Sequence, residues 1–191
     1  MIKRTFDLFL AFAVALILAM PFLVVFIAVR LTSTGPALYW SDRVGCNNVI
    51  FKMPKFRTMR IDTPAVATHL LENPQQFLTP IGSFLRKTSL DELPQLWSIL
   101  NGDMSFVGPR PALFNQDDLI SLRTQYGVDK LAPGLTGWAQ VNGCRGETEV
   151  VEKMVARVHY DLEYLRNWSL SLDLRIIVRT VRLMLFDRSA Y

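Results

Sequence analysis

Leu8 to Val29 is a run of 22 residues with no charge and no hydroxyl, and it constrains the fold more than any other segment. As one straight helix it would extend ~33 Å, enough to cross the hydrocarbon core of a bilayer. Pro21 divides the run into thirteen residues and eight; proline removes a backbone donor and clashes with the preceding turn, so a kink is expected there. Lys3 and Arg4 precede the run and Arg30 follows it, so basic residues draw both ends to the cytosolic side and give no direction of crossing. Two readings follow: a spanning helix, or a helix that enters one leaflet, bends at Met20-Pro21 and returns, its freed carbonyl finding a donor at the bend. A cleaved leader fits poorly, because the Ala-x-Ala patterns, Ala11 to Ala13 and Ala13 to Ala15, lie inside the apolar run.

The rest of the 191 residues suffices for one domain with its own core, so the expected organisation is a membrane helix over 1–31 and a catalytic domain over 32–191 at the membrane surface. Residues 1–60 hold eight Lys or Arg against Asp7 and Asp42, whereas residues 61–191 hold thirteen against fifteen acids. A basic segment beside an apolar run points to anionic headgroups; a nucleic-acid partner, which would want basic residues interleaved with exposed aromatics across the fold, is not expected. Two cysteines, Cys46 and Cys144, make neither a disulfide framework nor a zinc motif.

After the break at Thr32 to Pro36, Ala37 to Trp40 and Val49 to Met53 predict two short strands around a polar turn, Arg43 to Asn48. Lys52, Lys55, Arg57 and Arg60 cluster around Phe56, suited equally to headgroups and to substrate. The prolines between 61 and 80 predict a loop carrying one helix around Ala65 to Glu72, with His69 lacking any obvious partner. Leu93, Leu96, Trp97 and Leu100 fall on one helical face, Asp117 to Arg123 starts another helix, and Val150 to Arg166 and Ser169 to Phe186 form two more. The last is amphipathic, suited either to the headgroup plane or to packing on the core. The fold class is therefore mainly α with a small β-hairpin.

The chemistry concentrates in Arg86-Lys87-Thr88-Ser89-Leu90-Asp91-Glu92-Leu93-Pro94-Gln95-Leu96 and in Gly102 to Pro111, which ends in Gly108-Pro109-Arg110-Pro111. Arginine forks match phosphate oxygens, and a carboxylate among them can hold a divalent cation or attack phosphorus. Asp91 and Glu92 can equally serve as first-turn acids, with Ser89 and Glu92 at capping-box spacing. Glycine-rich stretches at 101–111 and 132–146 each carry an arginine, Arg110 or Arg145, and such loops let backbone donors approach a ligand.

Taken in order, Lys3-Arg4-x-Phe6-Asp7, Pro21, Gly35-Pro36, Arg43-x-Gly45, Lys55 to Met59, Ser89 to Leu96, Gly102 to Pro111 and Pro133 to Gly143 make the chain resemble a bacterial sugar transferase of the monotopic phosphoglycosyl transferase superfamily, nearly end to end. The resemblance is to small members that consist of the catalytic unit. It implies transfer of a sugar 1-phosphate from a UDP-sugar to undecaprenyl phosphate, with release of UMP, on the cytosolic face of the bacterial inner membrane, as a first membrane step of surface-glycan or glycoconjugate synthesis. It implies that Asp91 attacks the β-phosphorus and carries a covalent phosphosugar, that Mg²⁺ binds at Asp91, and that Glu92 assists as a base or metal-site partner. It places Arg86, Arg110 and Arg145 near the diphosphate and nucleotide, Lys55 and Arg57 near the lipid phosphate, and makes the amino-terminal helix re-entrant, bent near Pro21.

Two departures bear on this. Asn48 stands where the family often has glycine, and tolerates the left-handed conformation the turn needs. Cys144 intervenes before Arg145, which weakens the transfer of a nucleotide role to that arginine. The cues to the donor sugar disagree: Arg145-Gly146-Glu147-Thr148 resembles members that move glucose 1-phosphate, whereas Gly108 to Gln116 resembles members handling N-acetylated amino sugars, and the expectation leans to an N-acetylhexosamine over glucose or galactose. The sequence admits a homodimer without demanding one. A non-catalytic membrane scaffold would leave Asp91 and Glu92 as mere caps, and a lipid hydrolase would want a His-Asp or Ser-His neighbourhood that His69 and His159 lack.

Overall fold

A computed structural model describes residues 2–64, 73–144 and 151–186. His69, Arg145 and the helix expected around Ala65 to Glu72 lie outside the described residues. Helix α1 (Ile2–Thr32) continues through Pro21. Strands β1 (Leu38–Val44) and β2 (Ile50–Phe56) form the hairpin, followed by α2 (Gly82–Lys87), a 3-10 turn (Leu90–Gln95) and α3 (Leu96–Asn101). Then come β3 (Ser105–Val107), β4 (Ala112–Leu113), α4 (Asp117–Gln125), β5 (Gly134–Thr136), α5 (Trp138–Val141), α6 (Val151–Asn167) and α7 (Leu170–Phe186). The architecture is mainly helical with small sheets, as the sequence predicts.

Both hairpin strands run further than their apolar runs suggest, because pairing continues through polar residues. Leu38 faces Phe56 and Val44 faces Ile50, so Arg43 is a strand residue rather than part of the turn. Pro54 is tolerated because β2 is an edge strand in the order β2-β1-β4. Asn47 and Asn48 take φ of 53° and 58°, the left-handed turn for which Asn48 was suited.

The acidic block departs from one continuous helix. Ser89 is left-handed with φ 55° and its side chain does not cap the turn. Pro94 has no N–H to give an α-helix, and Leu90–Gln95 winds as a 3-10 turn before α3 begins. The change of winding separates residues that helical spacing puts on one face: Leu93, Leu96 and Leu100 are partly buried, Trp97 is exposed, and Ser98 and Ile99 are fully buried.

The glycine-rich stretches serve backbone packing. Strands β3 and β5 pair in parallel, Ser105 with Gly134 and Val107 with Thr136. A Cβ on Gly108 would lie 2.3 Å from the Ala132 carbonyl oxygen, one on Gly134 2.1 Å from the Gly108 nitrogen, and one on Gly137 2.2 Å from the Gly108 carbonyl oxygen. These glycines let two backbone segments cross, which is why Gly-Pro-Arg-Pro and Pro-Gly-Leu-Thr-Gly belong together.

Helix α1 touches the body at both ends. At its start the Lys3 ammonium pairs with Asp173 at 2.7 Å, the Arg4 guanidinium donates to the carbonyls of Ile99 and Leu100 at the end of α3, and Asp7, 3% exposed, accepts from the Phe106 N–H at 3.2 Å. At its end Val25 and Val29 pack with Phe56 and Leu85, and Phe22 lies 4.9 Å from the Phe56 ring. No residue between Ala11 and Val25 is buried, and Phe12, Leu16, Ile17, Met20, Leu23 and Val24 are exposed. Helix α7 both packs and exposes: Leu172, Ile176, Ile177 and Leu183 meet the core, while Leu174, Val178 and Val181 form an outward apolar stripe.

Candidate active site

The site forms where β2, the 3-10 turn and the loop after β3 meet. Within Lys55-Phe56-Arg57-Thr58 successive residues go different ways. The Lys55 ammonium reaches Glu92 Oε1 at 3.5 Å, Phe56 enters the core, Arg57 turns away, and Thr58 uses its carbonyl on the Thr79 N–H at 2.9 Å and its hydroxyl on Arg86 Nε at 3.0 Å. Glu92 Oε1 also accepts from Arg110 at 3.2 Å. Glu92 is thus a carboxylate shared by two cations from different segments.

Adjacent in sequence, Asp91 and Glu92 occupy opposite electrostatic situations. For Glu92, burial works to raise the pKa, but the charges and hydrogen bonds of Arg110 and Lys55 outweigh it and leave the group at about 2. For Asp91, 9% exposed, burial is the largest influence and the Glu92 charge adds to it; Lys55 and Arg86 oppose, and the group is pushed up to about 6. Among the described residues the Asp91 carboxylate makes no ion pair, and the hydrogen bond that bears on it comes from its own backbone amide. Glu92 is ionised and held by two cations; Asp91, ionised above about pH 6, has no ion-pair partner among the described residues.

The residues the sequence singles out divide accordingly. Lys55, Arg86, Asp91, Glu92 and Arg110 come together. Arg57 does not join them: it is 6% exposed and donates to the Ser33 carbonyl and hydroxyl at 3.3 and 2.9 Å, beneath the loop that leaves α1. A Cβ on Gly35 would sit 2.5 Å from its Nη1, so the loop rests directly on this guanidinium.

Four charged residues of the site's surroundings were not placed in the site by the sequence reading, although Arg43 stands in its Arg43-x-Gly45 motif. Arg123, on α4, holds the Arg110 carbonyl at 2.9 Å and pairs with Asp161 of α6 at 2.7 Å. Arg157 lies beside them, its pKa lowered to about 10 by burial first and then by Arg123 and Arg110. Arg43, on β1, stands near Arg110 and Glu92. Arg157 and Asp161 are four apart on one helix, a spacing that puts both on one face and was available as a signal.

Among the described residues no group of three or more His, Cys, Asp or Glu could cage a metal. Mg²⁺ does not need such a cage: it keeps several waters and takes one or two carboxylates together with substrate phosphates. With Glu92 engaged by Lys55 and Arg110, the unpaired Asp91 carboxylate is the donor that suits it.

An acidic pair set among phosphate-suited cations lies at the foot of a helix that exposes its apolar surface, an arrangement suited to phosphoryl transfer beside a lipid surface. The chain belongs to the bacterial sugar transferase family, whose model matches residues 1–187. It is 41% identical over 194 residues to a UDP-glucose:undecaprenyl-phosphate glucose-1-phosphate transferase of Escherichia coli, covering 100% of this chain and 42% of that protein. It is 43% identical to a protein of the same name from Caulobacter vibrioides, covering 99% of this chain and 72% of the relative. An exopolysaccharide production protein, PSS, of Rhizobium leguminosarum bv. phaseoli is 39% identical, covering 94% and 93% of the two chains. The chain therefore spans about two fifths of the Escherichia coli relative and nearly all of the Rhizobium one. The names of these relatives carry glucose 1-phosphate, the alternative donor of the sequence reading, rather than the N-acetylhexosamine toward which it leans. The segment that suggested it is occupied structurally: Gln116 Oε1 accepts from the Leu113 N–H at 2.9 Å, and Ala112 is buried.

Proposed function

We propose that this chain transfers glucose 1-phosphate from UDP-glucose to undecaprenyl phosphate, releasing UMP, and so starts assembly of an exopolysaccharide or related surface glycan. The observation that carries the proposal is the Asp91 carboxylate: nearly buried, without an ion pair, and beside cations suited to phosphate oxygens.

In the first half-reaction a carboxylate oxygen of Asp91 attacks the β-phosphorus of the nucleotide sugar. The phosphorus–oxygen bond to UMP breaks, UMP departs with the bonding electrons, and Asp91 is left as an acyl phosphate of the sugar 1-phosphate. In the second, an oxygen of undecaprenyl phosphate attacks the same phosphorus and releases the carboxylate, giving a lipid diphosphate sugar. A carboxylate meets an anionic phosphate only when repulsion is neutralised. Arg86 and Arg110 supply fixed positive charge from either side of the acidic pair, and Glu92 holds Arg110 and Lys55 in place rather than exchanging protons, since a group at about 2 is not a base near neutral pH. Mg²⁺ held by Asp91 and the substrate diphosphate would supply Lewis-acid charge stabilisation. Two steps let a soluble nucleotide sugar and a membrane lipid use one site in turn.

The membrane arrangement is part of the same proposal. A helix whose two ends are held by one body presents neither on the far side of a bilayer, so α1 dips into one leaflet with Ala15 to Val24 at its deepest and returns. The catalytic unit lies at the cytosolic face of the inner membrane, with membrane lipids against the exposed residues of α1 and the outward stripe of α7.

The test incubates the purified protein with labelled UDP-glucose, Mg²⁺ and undecaprenyl phosphate. UMP release and label in the lipid fraction are expected, with a phosphoglucose adduct on Asp91 when lipid is withheld. Turnover of UDP-N-acetylglucosamine in preference to UDP-glucose would overturn the donor, and full turnover without an adduct would overturn the covalent route.

A further inference from the structure

We infer that Arg43 is a phosphate-binding residue of this site, a third cation that grips the anion on which Asp91 acts. The inference deepens the phosphoryl-transfer reading and rests on it. In the hairpin register Tyr39 faces Lys55, Ser41 faces Met53 and Arg43 faces Phe51. Side chains alternate along a strand, so Arg43, Ser41 and Lys55 share the face that carries the buried Met53 and Phe51. The neighbouring cation Lys52 is on the other face, paired with Asp42 at 3.0 Å.

The Arg43 guanidinium is fixed along one edge. Its Nε donates to the Ser41 hydroxyl at 3.1 Å and its Nη1 to the Pro111 carbonyl at 3.3 Å, one residue from Arg110. Both acceptors are neutral. Among the described residues Arg43 makes no ion pair, and its Nη2 makes no hydrogen bond. The charges around it are Arg110, Lys55 and Glu92, and Glu92 already serves the other two. Three half-buried cations therefore surround Glu92, two of them paired with it, and Asp91 is the other acid that bears on Lys55.

Such an excess of like charge is unfavourable in a desolvated place; burial and Arg110 lower the Arg43 pKa to about 10, which still leaves it charged at neutral pH. A fork held on one side by neutral acceptors, with its remaining donors unspent among other cations, suits a phosphate oxygen. A purely structural role in propping the Pro111 carbonyl would need no charge, and an asparagine or glutamine amide would perform it without the repulsion.

The phosphate can belong to the nucleotide diphosphate or to the lipid, and kinetics separate them. With the purified chain in detergent and Mg²⁺ held constant, inorganic pyrophosphate is titrated calorimetrically into wild type, Arg43→Gln and the outer-face control Lys52→Gln. Arg43→Gln is expected to bind at least tenfold more weakly and Lys52→Gln as wild type does. A raised KM for UDP-glucose alone assigns Arg43 to the nucleotide, and a raised KM for undecaprenyl phosphate alone assigns it to the lipid; either supports the inference. Wild-type pyrophosphate affinity and both KM values unchanged in Arg43→Gln would overturn it, as would a wild-type protein that does not bind pyrophosphate. Should the variant fail to fold, phenylglyoxal modification of wild type decides: pyrophosphate must slow labelling of the Arg43 peptide at least severalfold, and an unchanged rate overturns the inference. Pyrophosphate binding through Arg43 in a protein that turns over no UDP-sugar would sink the transferase reading alone.

Discussion

Replacing Asp91 by asparagine should stabilise the metal-free protein while abolishing transfer, and the size and pH dependence of the gain follow from the site. The carboxyl titrates at about 6 in the folded chain against a reference value of 3.8. A raised carboxyl pKa means that folding disfavours the ionised form. Below pH 3.8 both states are protonated and there is no penalty; between 3.8 and about 6 the unfolded chain ionises first and the penalty grows; above about 6 it is complete. A shift of roughly two units corresponds to about 3 kcal/mol. Asparagine keeps the shape and cannot ionise, so at pH 8 the variant should melt roughly 6 to 12 °C higher than wild type for a chain of this length. By pH 4.5 about a third of the energy remains. The assay is a set of thermal melts in chelator and detergent at pH 8, 6 and 4.5. Equal melting temperatures at pH 8, or an advantage that grows toward pH 4.5, would refute the assignment of a strained carboxylate.

Three other outcomes are expected. Glu92→Gln removes the acid shared by Lys55 and Arg110 and leaves those cations facing Arg43, a loss of about 2 to 5 kcal/mol in a desolvated pair; kcat/KM for UDP-glucose should fall roughly 30-fold or more in initial-rate assays. Gly108→Ala puts a methyl 2.3 Å from a backbone carbonyl oxygen, and melts should register roughly 1 to 3 kcal/mol of overpacking or more, whereas Gly143→Ala, with nothing within 4 Å but a φ of 91°, should cost only about 1 to 2 kcal/mol. Epitopes placed before Ile2 and at Thr34 should both be reached from the cytosolic side of inverted vesicles and neither from the other side; opposite accessibility would establish a spanning α1.

What was legible in the sequence depended on what local chemistry decides. The apolar run, the hairpin and the long helices α6 and α7 follow from composition and period. Asp91, Glu92 and Arg110 stood out because unlike charges were dense in sequence. Arg123 and Asp161 did not, and Arg43 stood out only within a motif, because they enter the site through strand register and helix packing between segments far apart in the chain. The 3-10 turn was obscured by a helical spacing that Ser89 and Pro94 override with backbone conformation. The glycines misled in a different way: a residue without a Cβ serves a ligand or a second backbone equally well, and only the pairing of β3 with β5 shows which.

The charges at the start of α1 connect these parts. An apolar helix packed only by apolar contacts can slide or rotate at little cost, since one lipid-like surface resembles another. Lys3, Arg4 and Asp7 remove that freedom. Asp173 is fully buried and takes hydrogen bonds from Tyr164 and Trp168 as well as Lys3, so one carboxylate joins α1, α6 and α7. Arg4 satisfies carbonyls at the end of α3, the helix that follows Asp91 and Glu92, where its charge also complements the helix dipole. Asp7 takes the Phe106 N–H, four residues before Arg110. The helix that exposes its apolar surface is therefore bonded directly to the segments that carry the carboxylates and the arginine. In the proposed membrane arrangement the same few polar contacts would set the depth of α1 in the bilayer and the height of the site above the headgroups, as an acceptor phosphate fixed at the membrane surface would require.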